Sequence, residues 1–206
     1  MKKLILFIGL ALPVLTYAQD DVYNSNKKEY KAKSSGIDTI PNTNLILKDN
    51  SIIFEKTYYT NFSNQELKEK LKIFMPSVKA FQLTSDPNQN ADQFSGRLSD
   101  FVVNYRKYGG TLMGTSTILN YPINANVIIQ VKEGRYRVTI SDMIFKSVKL
   151  LVYDSGQDFV VDDMFTKAKR SKLRTGDTVL QNATYISKDL ESSFDINSKP
   201  KINTDF

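Results

Sequence analysis

Apolar residues change their spacing along the chain, and each change predicts an element. Ile52, Phe54 and Tyr58 fall on alternate positions within residues 51–60, the period of a strand with one buried face. Leu67, Leu71, Phe74 and Val78 then recur at steps of four, three and four, one face of a helix predicted over residues 64–75. Ser63 and Glu66 stand at capping-box spacing ahead of it, and Phe62 and Leu67 flank the box as a hydrophobic staple. Pro76 has no amide to donate and crowds the preceding turn, so the helix should kink or end there.

Beyond it, residues 86–94 are rich in Asn, Asp and Gln and read as a loop. Residues 101–105 and 112–119 read as strands around a turn at Gly109 and Gly110. The sharpest signal is a hairpin of residues 126–132 and 135–141, joined by Glu133 and Gly134, where glycine can take a positive φ. That turn sets Val131 opposite Tyr136, Ile129 opposite Val138 and Val127 opposite Ile140. The other face carries Ile128, Gln130 and Lys132 against Thr139, Arg137 and Arg135. One face is apolar and the other mostly polar, so the register is specified. Residues 148–153 and 159–165 read as further strands around residues 154–158. Val179, Ala183, Ile186, Leu190 and Phe194 predict a second helix, with Asp177 as its cap. The order implies an α+β domain, two helices packed on one face of a curved antiparallel sheet.

The N-terminus follows a different logic. Lys2 and Lys3 precede an unbroken apolar run over residues 4–12, and Thr16 and Ala18 place small residues before a cut ahead of Gln19. That is the layout of a secretory signal peptide, and residues 4–18 fall short of the roughly 18 needed to span a bilayer. The expected organisation is a signal at 1–18, a polar linker at 19–50, the domain at 51–196 and a tail at 197–206. The chain is thus expected to be exported, to the periplasm or beyond, with no transmembrane segment after cleavage.

The segments IIFEKTYYTNFSNQELKEKLKIF, GTLMGTSTIL and VIIQVKEGRYRVTISDM resemble a family of exported bacterial proteins, domain of unknown function 4468, with a TATA-binding-protein-like fold. The most specific piece runs from Val131 to Met143, and the resemblance covers residues 51–196. It implies a sheet-and-helix shape and carries no activity with it. A fold name does not imply DNA binding.

Composition narrows the chemistry. The chain has no Cys and no His, which removes disulfides, thiolate chemistry, and the commonest general base and metal ligand. The signal carries two of the 28 basic residues and none of the 22 acidic ones, so cleavage lowers the formal charge from +6 to +4. Two cationic groups are candidates for binding. Lys167, Lys169, Arg170, Lys172 and Arg174 put five cations in eight residues, suited to an anionic glycan, headgroup or phosphate. As exposed charges they should contribute little to stability, so neutralising Lys169, Arg170 and Lys172 together should barely move the unfolding midpoint. Lys132, Arg135 and Arg137 form a second patch on the polar hairpin face, where long stems also serve to cover apolar surface.

Asp154, Asp158, Asp162 and Asp163 offer hard oxygen ligands without the glycine and glutamate placement of a calcium loop, so no metal and no cofactor is expected. No nucleophile elbow, P-loop or zinc-protease helix occurs. The expected function is a non-catalytic exported module that binds an envelope or extracellular partner, an anionic component rather than nucleic acid. The alternative is a hydrolase acting on cell-wall or glycan substrates through carboxylates or a Ser–Lys pair, neither of which needs His or Cys.

Overall fold

Strand pairing begins before Ser51. In the computed structural model, which describes residues 38–85, 92–149 and 155–198, β1 (Asp38–Thr39) pairs antiparallel with β2 (Leu45–Lys48). β2 in turn pairs with β3 (Ser51–Tyr59). The expected linker therefore stops short of residue 50. Ile40, Leu45 and Leu47 are buried, and these apolar anchors hold a stretch that is otherwise mostly polar. The expected signal, the linker up to residue 37 and the tail from residue 199 lie outside the described residues.

α1 (Asn64–Phe74) starts where the sequence places it: Ser63 Oγ accepts from the Glu66 amide at 3.3 Å. The Glu66 carboxylate lies 3.8 Å from Lys70 Nζ, one turn on, rather than completing the box. Leu67, Leu71 and Phe74 are buried, and Phe62 packs against the same core under the Lys70 ammonium. Pro76 opens a short 3-10 turn, Met75–Ser77, which ends the helix as its missing amide requires.

β4 (Phe81–Ser85) and β5 (Gln93–Phe101) correct the next stretch, since Gln93 and Phe94 of the expected loop belong to β5, and residues 86–91 lie outside the described residues. Phe94, Leu98 and Phe101 are buried among polar neighbours, a strand pattern hidden by Ser95, Ser99 and Asp100. The two strands expected at 101–119 are not formed. Phe101 closes β5, and 3-10 turns at Tyr105–Tyr108 and Thr117–Asn120 follow. Tyr105 and Leu119 anchor them in the core, and Asn104 caps the first turn through the Lys107 amide.

β6 (Ile123–Lys132) and β7 (Arg135–Val148) form the hairpin with the predicted register, through Val131 opposite Tyr136, Ile129 opposite Val138 and Val127 opposite Ile140. Gly134 takes φ +67, the conformation that the two-residue turn demands. β8 (Gln157–Val160) pairs with the later half of β7. Residues 161–165, expected to extend a strand, instead form α2 (Val161–Phe165), whose turn buries Val161 and Phe165 together. β9 (Thr166–Lys167) and β10 (Lys172–Leu173) make a small separate hairpin, and α3 (Asp177–Phe194) closes the described chain. The residue at the N-cap of α3 is Gly176, and Asp177 sits in its first turn, where its charge suits the helix dipole.

The main sheet runs β1-β2-β3-β7-β6-β5-β4, with β8 beside β7. Its curvature has a local cause. β5 carries an extra residue between Leu98 and Phe101, and β7 carries one opposite Asn124–Asn126. The bulged residues Asp100 and Asp142 take φ 62 and 54, a region aspartate tolerates better than most. Asn124 Oδ1 accepts from the Asp100 amide at 2.9 Å, and Asn126 Nδ2 donates to Asp142 Oδ2 at 2.8 Å.

One face of this sheet meets α1 and α3. Tyr58 and Tyr136 stack there with centroids 4.8 Å apart, and their hydroxyls reach the end of α3. Tyr58 donates to the Glu191 carbonyl at 2.9 Å and Tyr136 to the Phe194 carbonyl at 2.7 Å, satisfying groups that a helix C-terminus leaves orphaned. Phe81 packs edge-on against Phe194, and its ring fills the place where a side chain on Gly96 would sit, 2.3 Å from an added Cβ. On the opposite face the alternating side chains of β3, β6 and β7 are exposed or half-buried, and among the described residues this face is open.

Candidate functional site

Positions alternating with the buried residues of β3, β6 and β7 project from the open face. Cross-strand pairing puts Tyr59 of β3 beside Arg135 of β7, and Arg135 beside Lys132 of β6. One step inward, Thr57, Arg137 and Gln130 form a second row of the same three strands. The six line a shallow depression of about 230 Å³ that contains no carboxylate. Neighbouring strands lie about 4.8 Å apart, so each row presents three side chains at roughly 5 Å intervals.

The members of this depression differ in what holds them. Arg137 donates to Gln130 Oε1 at 2.6 Å and lies 3.7 Å from Glu55, so its guanidinium is fixed and partly offset. Lys132 and Arg135 are exposed and make no ion pair or side-chain hydrogen bond among the described residues. Tyr59 is 72% exposed, while its strand neighbour Tyr58 is buried. An exposed tyrosine at the end of a row of unpaired cations contributes little to this core. The sequence had placed Lys132, Arg135 and Arg137 here, because period-two alternation determines facing. It had not marked Tyr59, Thr57 or Gln130, whose proximity depends on β3 pairing with β7.

The second basic group turns out to be two kinds of residue. Arg170 Nε donates to Asp163 Oδ1 at 2.9 Å and its Nη1 reaches Asp162 Oδ2 at 3.2 Å. Asp162 is buried and accepts from the Ile52 amide at 2.8 Å, so Arg170 is tied to the start of β3. The ion pair with Asp163 holds the Arg170 guanidinium above its ordinary pKa. Arg174 Nε donates to the Thr166 carbonyl at 2.6 Å. Lys167, Lys169 and Lys172 are exposed with no ion pair among the described residues.

Ala168, Lys169 and Arg170 follow one another at φ 52, 56 and 66, a left-handed run costing about 1–2 kcal/mol per residue. The Arg170 contacts help to hold that turn. Neutralising Lys169, Arg170 and Lys172 together should thus not leave stability unchanged, contrary to the expectation from exposure alone. Arg170→Gln is expected to lower the urea midpoint, because it removes both carboxylate contacts that hold the turn. Lys169→Gln should stay within about 0.5 kcal/mol of wild type. Urea titrations read both, and equal midpoints would remove Arg170 from the fold's supports. Lys167, Lys169, Arg170 and Arg174 line an open hollow of about 540 Å³ with Asp163 and Thr166, and Lys172 is not among its lining residues.

Of the acidic candidates, Asp158 binds Lys146 and the Ser147 amide, and the Lys146 contact holds its carboxyl below the ordinary value. Asp162 and Asp163 face Arg170, and Asp154 lies outside the described residues. Among the described residues, no three acidic groups are placed to hold a metal ion.

The fold also assembles a Ser–Lys pair that no spacing announces. Lys107 Nζ donates to Ser192 Oγ at 3.1 Å, and Tyr108 Oη lies 2.7 Å from the same oxygen. The Tyr108 hydroxyl also reaches the Lys188 carbonyl at 3.1 Å, and the Ser192 hydroxyl the Asp189 carbonyl at 3.4 Å. These groups seal the 3-10 turn onto α3, and neither depression includes them.

No family model and no curated protein matches the chain. Among solved structures it is similar to a TBP-like protein from Parabacteroides distasonis, at 13% identity over 75% of this chain and 97% of that one, with a TM-score of 0.46. It is also similar to a DUF4468 family protein from Bacteroides ovatus, at 12% identity over 70% and 84% of the two chains, with a TM-score of 0.46. The two neighbours bear the same fold and family names as the resemblance carried by residues 131–143. Among the described residues, no helix is long and apolar enough to cross a membrane.

Proposed function

We propose that this chain is a non-catalytic binding module, exported from the cell, whose open sheet face receives an anionic component of the envelope or its surroundings. The observation that carries the reading is the pair Lys132 and Arg135, adjacent in the ladder, exposed and without an acidic partner in the depression they line. Two unpaired cations on a firmly registered hairpin offer an anion receptor whose backbone is already ordered, so that binding has only their side chains to fix. The leader-like residues 1–18 support the location. The Ser–Lys pair is taken up in joining a turn to a helix, which favours binding over hydrolysis.

The test is sedimentation with anionic liposomes and with polyanionic glycans, at low and at physiological salt. Binding to at least one of these probes is expected, falling steeply with salt as counterion release loses its advantage. Replacing Lys132 and Arg135 with Gln should lower that affinity roughly tenfold or more while leaving the unfolding midpoint nearly unchanged. Undiminished binding by the double variant would refute this face as the receptor.

A further inference from the structure

Resting on that reading, we infer that the anion held by the sheet face is an acidic sugar unit of a polysaccharide, stacked on Tyr59 and clamped through its carboxylate by Arg135 and Lys132. The cross-strand register places an aromatic ring, a guanidinium and an ammonium in one row, in that order. Their backbones are about 5 Å apart, close enough for the three long side chains to converge on one sugar unit. Tyr59 offers a flat apolar surface with a polar tip, 72% of it open to solvent. A bare phosphate would use the two cations and leave that ring idle. A uronate unit uses all three: C–H groups on the ring, carboxylate between the cations.

The second row fits the same ligand. Thr57 and Gln130 present a hydroxyl and an amide about 7 Å along the strands, with Arg137 held in place by Gln130 and Glu55. These are partners for sugar hydroxyls. The depression, at about 230 Å³, is smaller than the roughly 300–1,000 Å³ of pockets that enclose a drug-sized molecule. Such a surface seats one unit of a chain that continues across the sheet. Beyond Phe54 no described strand pairs with the outer edge of β3, so the ring of Tyr59 is approachable from that side.

The experiment measures binding of a polyuronate, of inorganic polyphosphate and of polyglutamate to wild type, Tyr59→Ala, Tyr59→Phe and the Lys132→Gln/Arg135→Gln variant. Polyuronate affinity is expected to fall roughly tenfold in Tyr59→Ala, to survive in Tyr59→Phe, and to be lost in the charge variant. Any polyphosphate binding should be indifferent to Tyr59. Unchanged polyuronate affinity in Tyr59→Ala would overturn the sugar assignment and leave the anion receptor standing. The same holds if wild type takes polyphosphate or polyglutamate but not polyuronate. If wild type binds none of the three polyanions and no anionic liposome, both readings fall. Retained binding by Tyr59→Phe separates loss of the ring from loss of the fold.

Discussion

Leu71→Ala is expected to lower the unfolding free energy by about 2–5 kcal/mol, the range for emptying a fully buried leucine site. Leu71 is completely buried in α1, between Leu67 and Phe74, and α1 packs against β6. The cost has two parts: the transfer of the lost methyl groups, and a cavity that the anchored strands can close only in part. Ser63→Ala provides the internal comparison. It removes the Oγ that accepts from the Glu66 amide and should cost about 1 kcal/mol, because water can take over at an exposed helix end. Urea titrations should give a clearly lower midpoint for Leu71→Ala than for Ser63→Ala, with similar slopes. Equal, near-zero losses would refute both the burial of the helix face and the cap.

High pH should unfold the protein through two tyrosines. Burial is the main cause that pushes the Tyr58 hydroxyl well above its ordinary value of 10.0, with Tyr136, Glu191 and Asp195 adding to it. Burial raises Tyr136 likewise, opposed by the Ile196 amide that donates to its oxygen. Both hydroxyls must stay protonated to donate to the end of α3. Their contribution is therefore complete below pH 10, where the unfolded tyrosines are also neutral. As pH rises above 10 the unfolded chain ionises first, and stability falls by about 1.4 kcal/mol per pH unit for each tyrosine.

The Tyr58→Phe/Tyr136→Phe variant should be less stable at pH 7, by about 1–3 kcal/mol for each carbonyl left without its donor. It should also lose less on going from pH 9 to pH 11 than wild type does. Parallel curves for the two proteins over that interval would mean that the tyrosines do not hold α3 to the sheet.

Much of this architecture is legible in the residues. Period-two alternation around a Glu-Gly turn determines the β6–β7 register, since a slip of one residue would turn Val127, Ile129 and Val131 outward. The helical spacing of Leu67, Leu71 and Phe74, and of Ala183, Ile186, Leu190 and Phe194, similarly specifies which faces of α1 and α3 are buried. Alternation also put Lys132, Arg135 and Arg137 on the solvent side. These are local facts, decided by geometry within a dozen residues.

What only the tertiary structure decides involves partners distant in the chain. β1 and β5 become strands because neighbouring strands take up their backbone groups, which overrides a polar composition, and the short apolar run of β2 is completed by its pairing with β3. Residues 161–165 read as part of a strand, and burial of Val161 and Phe165 on one turn makes them helix instead. Charge density alone treats Arg170 and Lys169 as equivalent. Asp162 and Asp163 make one a support of the fold and leave the other in solvent. Tyr59 joins Arg135 and Lys132 only because β3 pairs with β7 across more than seventy residues of sequence, a contact that no local spacing encodes.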